Sequence, residues 1–216
     1  MKKNPIIVPD YFTATIPVHF ISCPIKFTMR KLIMAINITA DGYCDHRAGI
    51  ADEELHNFFS GLLRDADTML YGRKTFELMY PYWPTVAQNK TGSESEITFA
   101  LLLDELEKIV FSKKGISTTW KHTRVLNDMN RDLILKLKEQ DGRNILIGGI
   151  DIADQLTRMH LIDEYYFVIH PVIYGKGKRF FESFELDTRV RLDLYDTQRF
   201  SSGAIALFYR VVDWNF

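Results

Sequence analysis

Cysteine is nearly absent from this chain, and its scarcity argues against two kinds of scaffold. Cys23 and Cys44 are the only two among 216 residues. They form no CxxC pair and have no partner motif, so neither a disulfide framework nor a structural zinc site has support. Long apolar runs are also lacking, since no segment reaches the roughly eighteen residues that a membrane-crossing helix needs. Pro5 to Phe27 is fairly apolar, but Asp10, His19, Pro9, Pro17 and Pro24 interrupt it, which makes a poor signal-peptide core. The expectation is a cytoplasmic protein with no membrane partner. Charge of one sign is not in excess: 27 Lys and Arg stand against 28 Asp and Glu, for a net charge of −1. This balance argues against nucleic-acid binding through bulk electrostatics, which rests on clustered cations. Any anion site must therefore be local.

What is present is ordinary for a folded domain, with 46% apolar and 25% charged residues, enough for a full core. No repeat, low-complexity tract or linker interrupts residues 29 to 216, which read as one domain opening at Met29-Arg30-Lys31. Residues 1 to 28 read as an N-terminal extension, a packing arm or the product of an upstream start.

Leu32 to Ile38 is a nearly continuous apolar stretch, the pattern of a strand buried on both faces. The Asp41-Gly42 turn follows it. Asp52-Glu53-Glu54 supplies a cap and an acidic first turn for a helix carrying Leu55, Phe58, Phe59, Leu62 and Ala66. Thr68 to Tyr71 reads as a second strand running into Gly72-Arg73-Lys74-Thr75 and a helix, which Tyr80 to Pro84 breaks. Residues 88 to 95 read as a surface loop and Ile97 to Leu106 as a helix. Lys108 to Lys113 and Arg124 to Leu126 follow as strands, and Asp128 to Gln140 as a helix. Asn144 to Ile147 is a strand, Gly148-Gly149 a turn, and Ile152, Leu156 and Met159 mark a helix. Ile162 to His170 is a strand and Pro171 to Lys178 a loop; Phe180-Phe181 begins a short strand, and a hairpin turns at Ser201-Ser202-Gly203. Strands alternating with helices predict an α/β fold with a largely parallel sheet and antiparallel C-terminal strands at one edge.

In such sheets ligands bind at the carboxyl ends of strands, and the informative segments all fall there. Gly148-Gly149 before a helix offers close main-chain approach and free N–H groups to an anion, or is simply a tight strand-to-helix turn. Arg73, Lys74 and Thr75 place two cations and a hydroxyl at another helix start, as phosphate ligands or solvated surface groups. Ser112-Lys113 is a third anion candidate or a polar turn. A pyrophosphate and a separate 2′-phosphate need two such sites, and NADPH carries both. Tyr80, Tyr82 and Trp83 wall an aromatic pocket or cover a core edge. His170 is a candidate acid or a hydrogen-bonded structural residue. Gly175-Lys176-Gly177-Lys178 lacks the upstream glycine and following hydroxyl of a P-loop; Lys176, Lys178 and Arg179 are instead candidates to meet a phosphorylated substrate.

The succession of Asn37-Ile38-Thr39-Ala40-Asp41-Gly42, Asp67 with Gly72-Arg73-Lys74-Thr75-Phe76-Glu77, Val110-Phe111-Ser112-Lys113, Ile147-Gly148-Gly149 and His170-Pro171-Val172-Ile173-Tyr174-Gly175-x-Gly177 resembles the dihydrofolate reductase superfamily. Within it, the chain is most similar to the branch containing the C-terminal reductase domain of the bifunctional riboflavin-synthesis protein. The resemblance implies a three-layer α/β/α fold and a homodimer. It implies NADPH held by Gly72, Arg73, Lys74, Thr75, Ser112 and Lys113, with Gly148, Gly149 and the amides of Ile150 and Asp151 at the pyrophosphate. Asn37, Asp41, Tyr43 and Trp83 are then expected to border the substrate, a small heterocyclic or ribityl-type molecule. The implied reaction is similar to that of 5-amino-6-(5-phosphoribosylamino)uracil reductase. The zinc deaminase signature of the two-domain riboflavin enzyme is missing. No Trp lies between Asp41 and Asp52, where true folate reductases carry one, while Glu54 falls near their single carboxylate and is the candidate catalytic acid; an acid in the first turn of a helix is also favoured by the dipole alone. A non-catalytic NADP-binding module and a true dihydrofolate reductase are the alternatives.

Overall fold

The computed structural model describes residues 29–182, 185 and 189–214; the 1–28 extension lies outside the described residues. The elements run β1 (Leu32–Thr39), α1 (Glu53–Arg64), β2 (Ala66–Gly72), α2 (Arg73–Met79), α3 (Trp83–Asn89), α4 (Glu94–Glu105) and β3 (Glu107–Phe111). They continue with β4 (Thr123–Leu126), α5 (Arg131–Glu139), β5 (Asn144–Gly148), α6 (Ile150–Arg158), β6 (Glu164–His170), β7 (Arg191–Arg199) and β8 (Ile205–Asp213). Local chemistry sets several starts. The Asp52 carboxylate accepts from the N–H of Leu55 at 2.8 Å and opens α1, and Asn130 accepts from the N–H of Leu133 at 2.9 Å and opens α5. Ser93 and Glu96 form a reciprocal capping box that opens α4.

The strands make one eight-stranded sheet in the order β4-β3-β2-β5-β1-β6-β8-β7. The pairs from β4 to β6 are parallel, while β8 runs antiparallel to both β6 and β7. Alternation along the strands divides the core in two. Met34, Leu70, Ile109 and Ile147 face α5 and α6 through Ile134, Leu137, Ile152 and Leu156. Ile33, Met69, Val110 and Leu146 face the opposite side, where Leu63 of α1, Phe76 of α2 and Leu103 of α4 meet them. The result is the expected three-layer α/β/α arrangement with an antiparallel hairpin at one edge.

Some boundaries differ from the sequence expectation. Tyr80 to Pro84 ends α2 but does not lead into a long loop: Trp83 and Pro84 open α3. A proline in a first helical turn forfeits only an N–H that has no intrahelical acceptor anyway. The loop expected over 88 to 95 is thereby reduced to the few residues between Asn89 and Glu94. Ala66 belongs to β2, since α1 closes at Asp65. Phe180-Phe181 is a turn rather than a strand. Arg179 makes a single bridge with Tyr43, and Phe181 adopts φ 61°.

Candidate functional site

The carboxyl ends of β2 and β5 lie side by side, with Tyr71 opposite Gly148. From there β2 leads into α2 on one face of the sheet and β5 leads into α6 on the other. Neighbouring strands whose connections depart to opposite faces open a crevice at their ends, the usual ligand position in open α/β sheets. β1, next to β5, shows the same opening. Its first residues Leu32, Ile33 and Met34 are at most 2% exposed, yet Ala35, Ile36, Asn37 and Ile38 are only half-buried: the pairing with β5 stops at Met34, while β6 runs on alongside to Thr39. Between Met34 and the buried Thr39, β1 is therefore open along the side that β5 leaves.

The Gly148-Gly149 turn is required by packing before any ligand is considered. A Cβ at Gly148 would run into the Tyr71 ring, and one at Gly149 would run into the Thr75 hydroxyl. Gly149 also adopts φ 114°, a conformation left to glycine. As the N-cap residue of α6 it has no side chain to receive the first N–H groups of the helix, which have no intrahelical acceptors. Thr75 and Gly149 thus bring the starts of α2 and α6 together. The Asp151 carboxylate accepts from Lys178 Nζ, and Lys74 Nζ stands 3.8 Å from its other oxygen. Lys178 therefore belongs to this cluster. Its contact with Asp151 spans 27 positions of sequence, and only the fold brings the two together.

The other expected cofactor residues are deployed differently. Arg73 pairs with Glu77 at 2.8 Å along α2. Ser112 follows β3, next to β2, but is buried, and its hydroxyl donates to Gly115 O at 3.1 Å. It forms a polar turn that leaves Lys113 exposed.

The loop after β1 is tied to the strap after β6. Asp41 accepts from the Thr39 hydroxyl at 2.6 Å, from the N–H of Gly175 at 2.8 Å and from the N–H of Tyr174 at 3.1 Å. These donors, Thr39 foremost, hold its carboxyl down at about 2. The Tyr43 hydroxyl accepts from Arg179, whose guanidinium also lies 4.6 Å from the ring centre. Asn37 Oδ1 lies 3.0 Å from His170 Nε2, and His170 Nδ1 accepts from the N–H of Ile50 at 3.1 Å. The second bond assigns Nδ1 as the acceptor and puts the ring proton on Nε2. Burial pushes the His170 pKa down, against a weaker upward pull from Asp52. His170 is thus a hydrogen-bonded structural residue, the second of its two sequence readings.

Glu54 and Trp83 are engaged in packing and hydrogen bonds around α1. Glu54 accepts from both the N–H and the hydroxyl of Ser201, each at 2.7 Å, and fastens α1 to the β7–β8 turn. Trp83 packs against Phe99 with ring centres 4.6 Å apart and meets His56 edge-on. It covers the contact of α1, α3 and α4. Tyr80 stacks on Phe76 and receives the N–H of Thr119. Among the described residues no His, Cys, Asp and Glu cluster could hold a metal ion, and no helix is long and apolar enough to cross a membrane.

Comparison with known proteins places this geometry. Residues 30–206 match the family described as the RibD C-terminal domain. The chain is 30% identical over 192 residues to the uncharacterized protein YyaP of Bacillus subtilis (strain 168), covering 86% of this chain and 96% of that one. Its fold is similar to a solved Thermotoga maritima diaminohydroxyphosphoribosylaminopyrimidine deaminase/5-amino-6-(5-phosphoribosylamino)uracil reductase (TM-score 0.61, 19% identity), over 85% of this chain and 57% of that longer one. It is also similar to a dihydrofolate reductase from Enterococcus faecalis solved with NADP(H) (TM-score 0.55, 14% identity), over 85% and 97% of the two chains.

Proposed function

Because the chain belongs to the RibD C-terminal domain family, we propose that it is an NADPH-dependent reductase acting on a small heterocyclic or ribityl-type substrate at the carboxyl ends of β1, β2 and β5. The observation that carries this reading is the crevice itself. The half-buried end of β1 lies beside an uncapped helix start, and Gly149 brings α6 against α2. The fit to a dinucleotide is physical. The first N–H groups of α6 and the cations Lys74 and Lys178 suit a pyrophosphate. Arg73, once released from the exposed Glu77, and Lys113 offer charge to a second phosphate.

A bound nicotinamide would supply the hydride for a C=N or C=O carbon of the substrate. The chain's own part is to bind, orient and exclude water. Half-buried Ile36 and Ile38, two positions apart on one face of β1, give an apolar floor at the open stretch of the strand. The Asp41 and His170 hydrogen bonds hold the two flanking loops in register. The proton comes from water, since Glu54 is already committed to Ser201. That commitment also weighs against a true folate reductase.

Titration calorimetry with NADPH and NADH, repeated on Arg73→Ala, tests the reading. We expect NADPH to bind more tightly than NADH, and the preference to fall about tenfold in the variant, the value of one charge-assisted phosphate contact. No binding of NADPH by the native chain overturns the proposal. Binding without consumption of NADPH, across heterocyclic and ribityl substrates, would leave a nucleotide-binding module.

A further inference from the structure

Asp151 stands where an incoming phosphate would go. It is the second residue of α6, beside the uncapped Gly149, and two cations converge on its carboxylate. Lys74 arrives from the start of α2 and Lys178 from the strap after β6, so the cluster joins three elements across the mouth of the crevice. It is open to solvent: the Asp151, Lys178 and Lys74 side chains are 51%, 43% and 79% exposed. An ion pair so placed is weak, worth about 1 kcal/mol or less, and is readily exchanged for another anion. A phosphate offers more acceptor oxygens and more charge to the same cations than one carboxylate does.

Lys178 is also tied to the substrate side of the crevice. Its carbonyl accepts the N–H of Cys44 at 2.8 Å, and its neighbour Arg179 lies over Tyr43. A change of partner at Lys178 Nζ is therefore made by a residue whose backbone already holds the loop after β1.

We propose that Asp151 is a built-in competitor for the dinucleotide's phosphates: its carboxylate occupies Lys74 and Lys178 in the free protein, and both cations exchange it for phosphate oxygens when the cofactor binds. Asp151 thereby sets cofactor affinity, and Lys178 is a cofactor contact contributed by the strap after β6. This inference rests on the dinucleotide reading above.

The test is titration of the native chain, Asp151→Asn, Asp151→Glu, Lys178→Met and the double variant Asp151→Asn/Lys178→Met with NADPH and, separately, with inorganic pyrophosphate. At low salt, Asp151→Asn is expected to bind both ligands about fivefold more tightly, the equivalent of one exposed ion pair released. Asp151→Glu should behave like the native chain, and the gain should shrink in about 0.5 M salt as screening rises. In the Lys178→Met background the Asp151→Asn gain should fall below about twofold, because the more closely held of the two contested cations is gone and Lys74 stands 3.8 Å away. Equal or weaker binding by Asp151→Asn overturns the proposal, as does a gain undiminished by Lys178→Met. If the native chain binds pyrophosphate but not NADPH, the dinucleotide reading falls while the pyrophosphate ratios still decide the competition. If no variant binds either ligand, both fall.

Discussion

At the scale of single residues, this protein uses its polar side chains mainly to hold loops, and His170 shows the consequence. Its ring is 1% exposed and bonded on both nitrogens, to Asn37 and to the N–H of Ile50. Protonating Nδ1 would cost the Ile50 bond and bury a charge. Burial therefore holds its folded pKa below the unfolded value near about 6.5. Between those two values the unfolded chain binds the extra proton, so stability rises with pH across the window and is lost as pH falls below about 6.5. The slope has an upper limit of about 1.4 kcal/mol per pH unit. Urea unfolding between pH 7.5 and pH 5 should show this loss in the native chain, and a shallower loss in His170→Gln. Equal acid slopes in the two proteins would rule out His170 as the source. The same scale shows what Asp41 and Ser112 do within the fold. Both are polar groups at strand ends, and each is hydrogen-bonded within the turns around it.

At the scale of elements, the starts of helices carry most of the local information. Asp52, Ser93 and Asn130 each receive an N–H from the first turn of α1, α4 and α5. α2 and α6 depart from this pattern, with Gly72 and Gly149 at their cap positions. Both of these starts stand at the crevice, and neither takes a cap hydrogen bond from the side chain of its cap residue. The capping box on α4 gives a stability prediction: Ser93→Ala removes the acceptor for the N–H of Glu96 and should lower unfolding free energy by about 1 kcal/mol. Chemical denaturation would read this as a lower midpoint with an unchanged slope, and an unchanged midpoint would mean that the box contributes nothing. α3 was missed for the converse reason. Trp83-Pro84 carries the composition of a helix breaker, but a proline is harmless in a first turn.

At the scale of the whole molecule, the sheet is clamped at the end opposite the crevice by Arg30, 6% exposed. Its guanidinium donates to Asp67, to the Thr68 hydroxyl at 2.7 Å, to Arg143 O at 2.7 Å and to Leu137 O at 3.3 Å. It thereby joins the entry of β1 to β2, the end of α5 and the approach to β5. Arg30→Met removes the four hydrogen bonds of the guanidinium, at about 1 kcal/mol each, and should cost about 3–5 kcal/mol. Its thermal midpoint should fall by roughly 10 °C or more, at the scale of about 2–4 °C per kcal/mol expected for a chain of this size. A shift of a degree or two would show that the network is redundant. A rigid base of this kind lets the opposite end stay open, with β1 half-buried where the glycine turns stand.

The sequence by itself determined the layered α/β fold, the parallel order and the antiparallel edge. Apolar periodicity, helix caps and glycine turns are properties of neighbouring residues, and the order of motifs along the chain was enough to reach the family. Tertiary structure alone decided which charged groups share a site. Asp151 and Lys178 meet across 27 positions, Glu54 and Ser201 across 147, and Asn37 and His170 across 133. Such pairings depend on how far strands and loops carry side chains through space, which local pattern does not encode. Hence the tight glycine turn before α6 was legible, while the Asp151–Lys178 pair beside it and the partner of Glu54 were not.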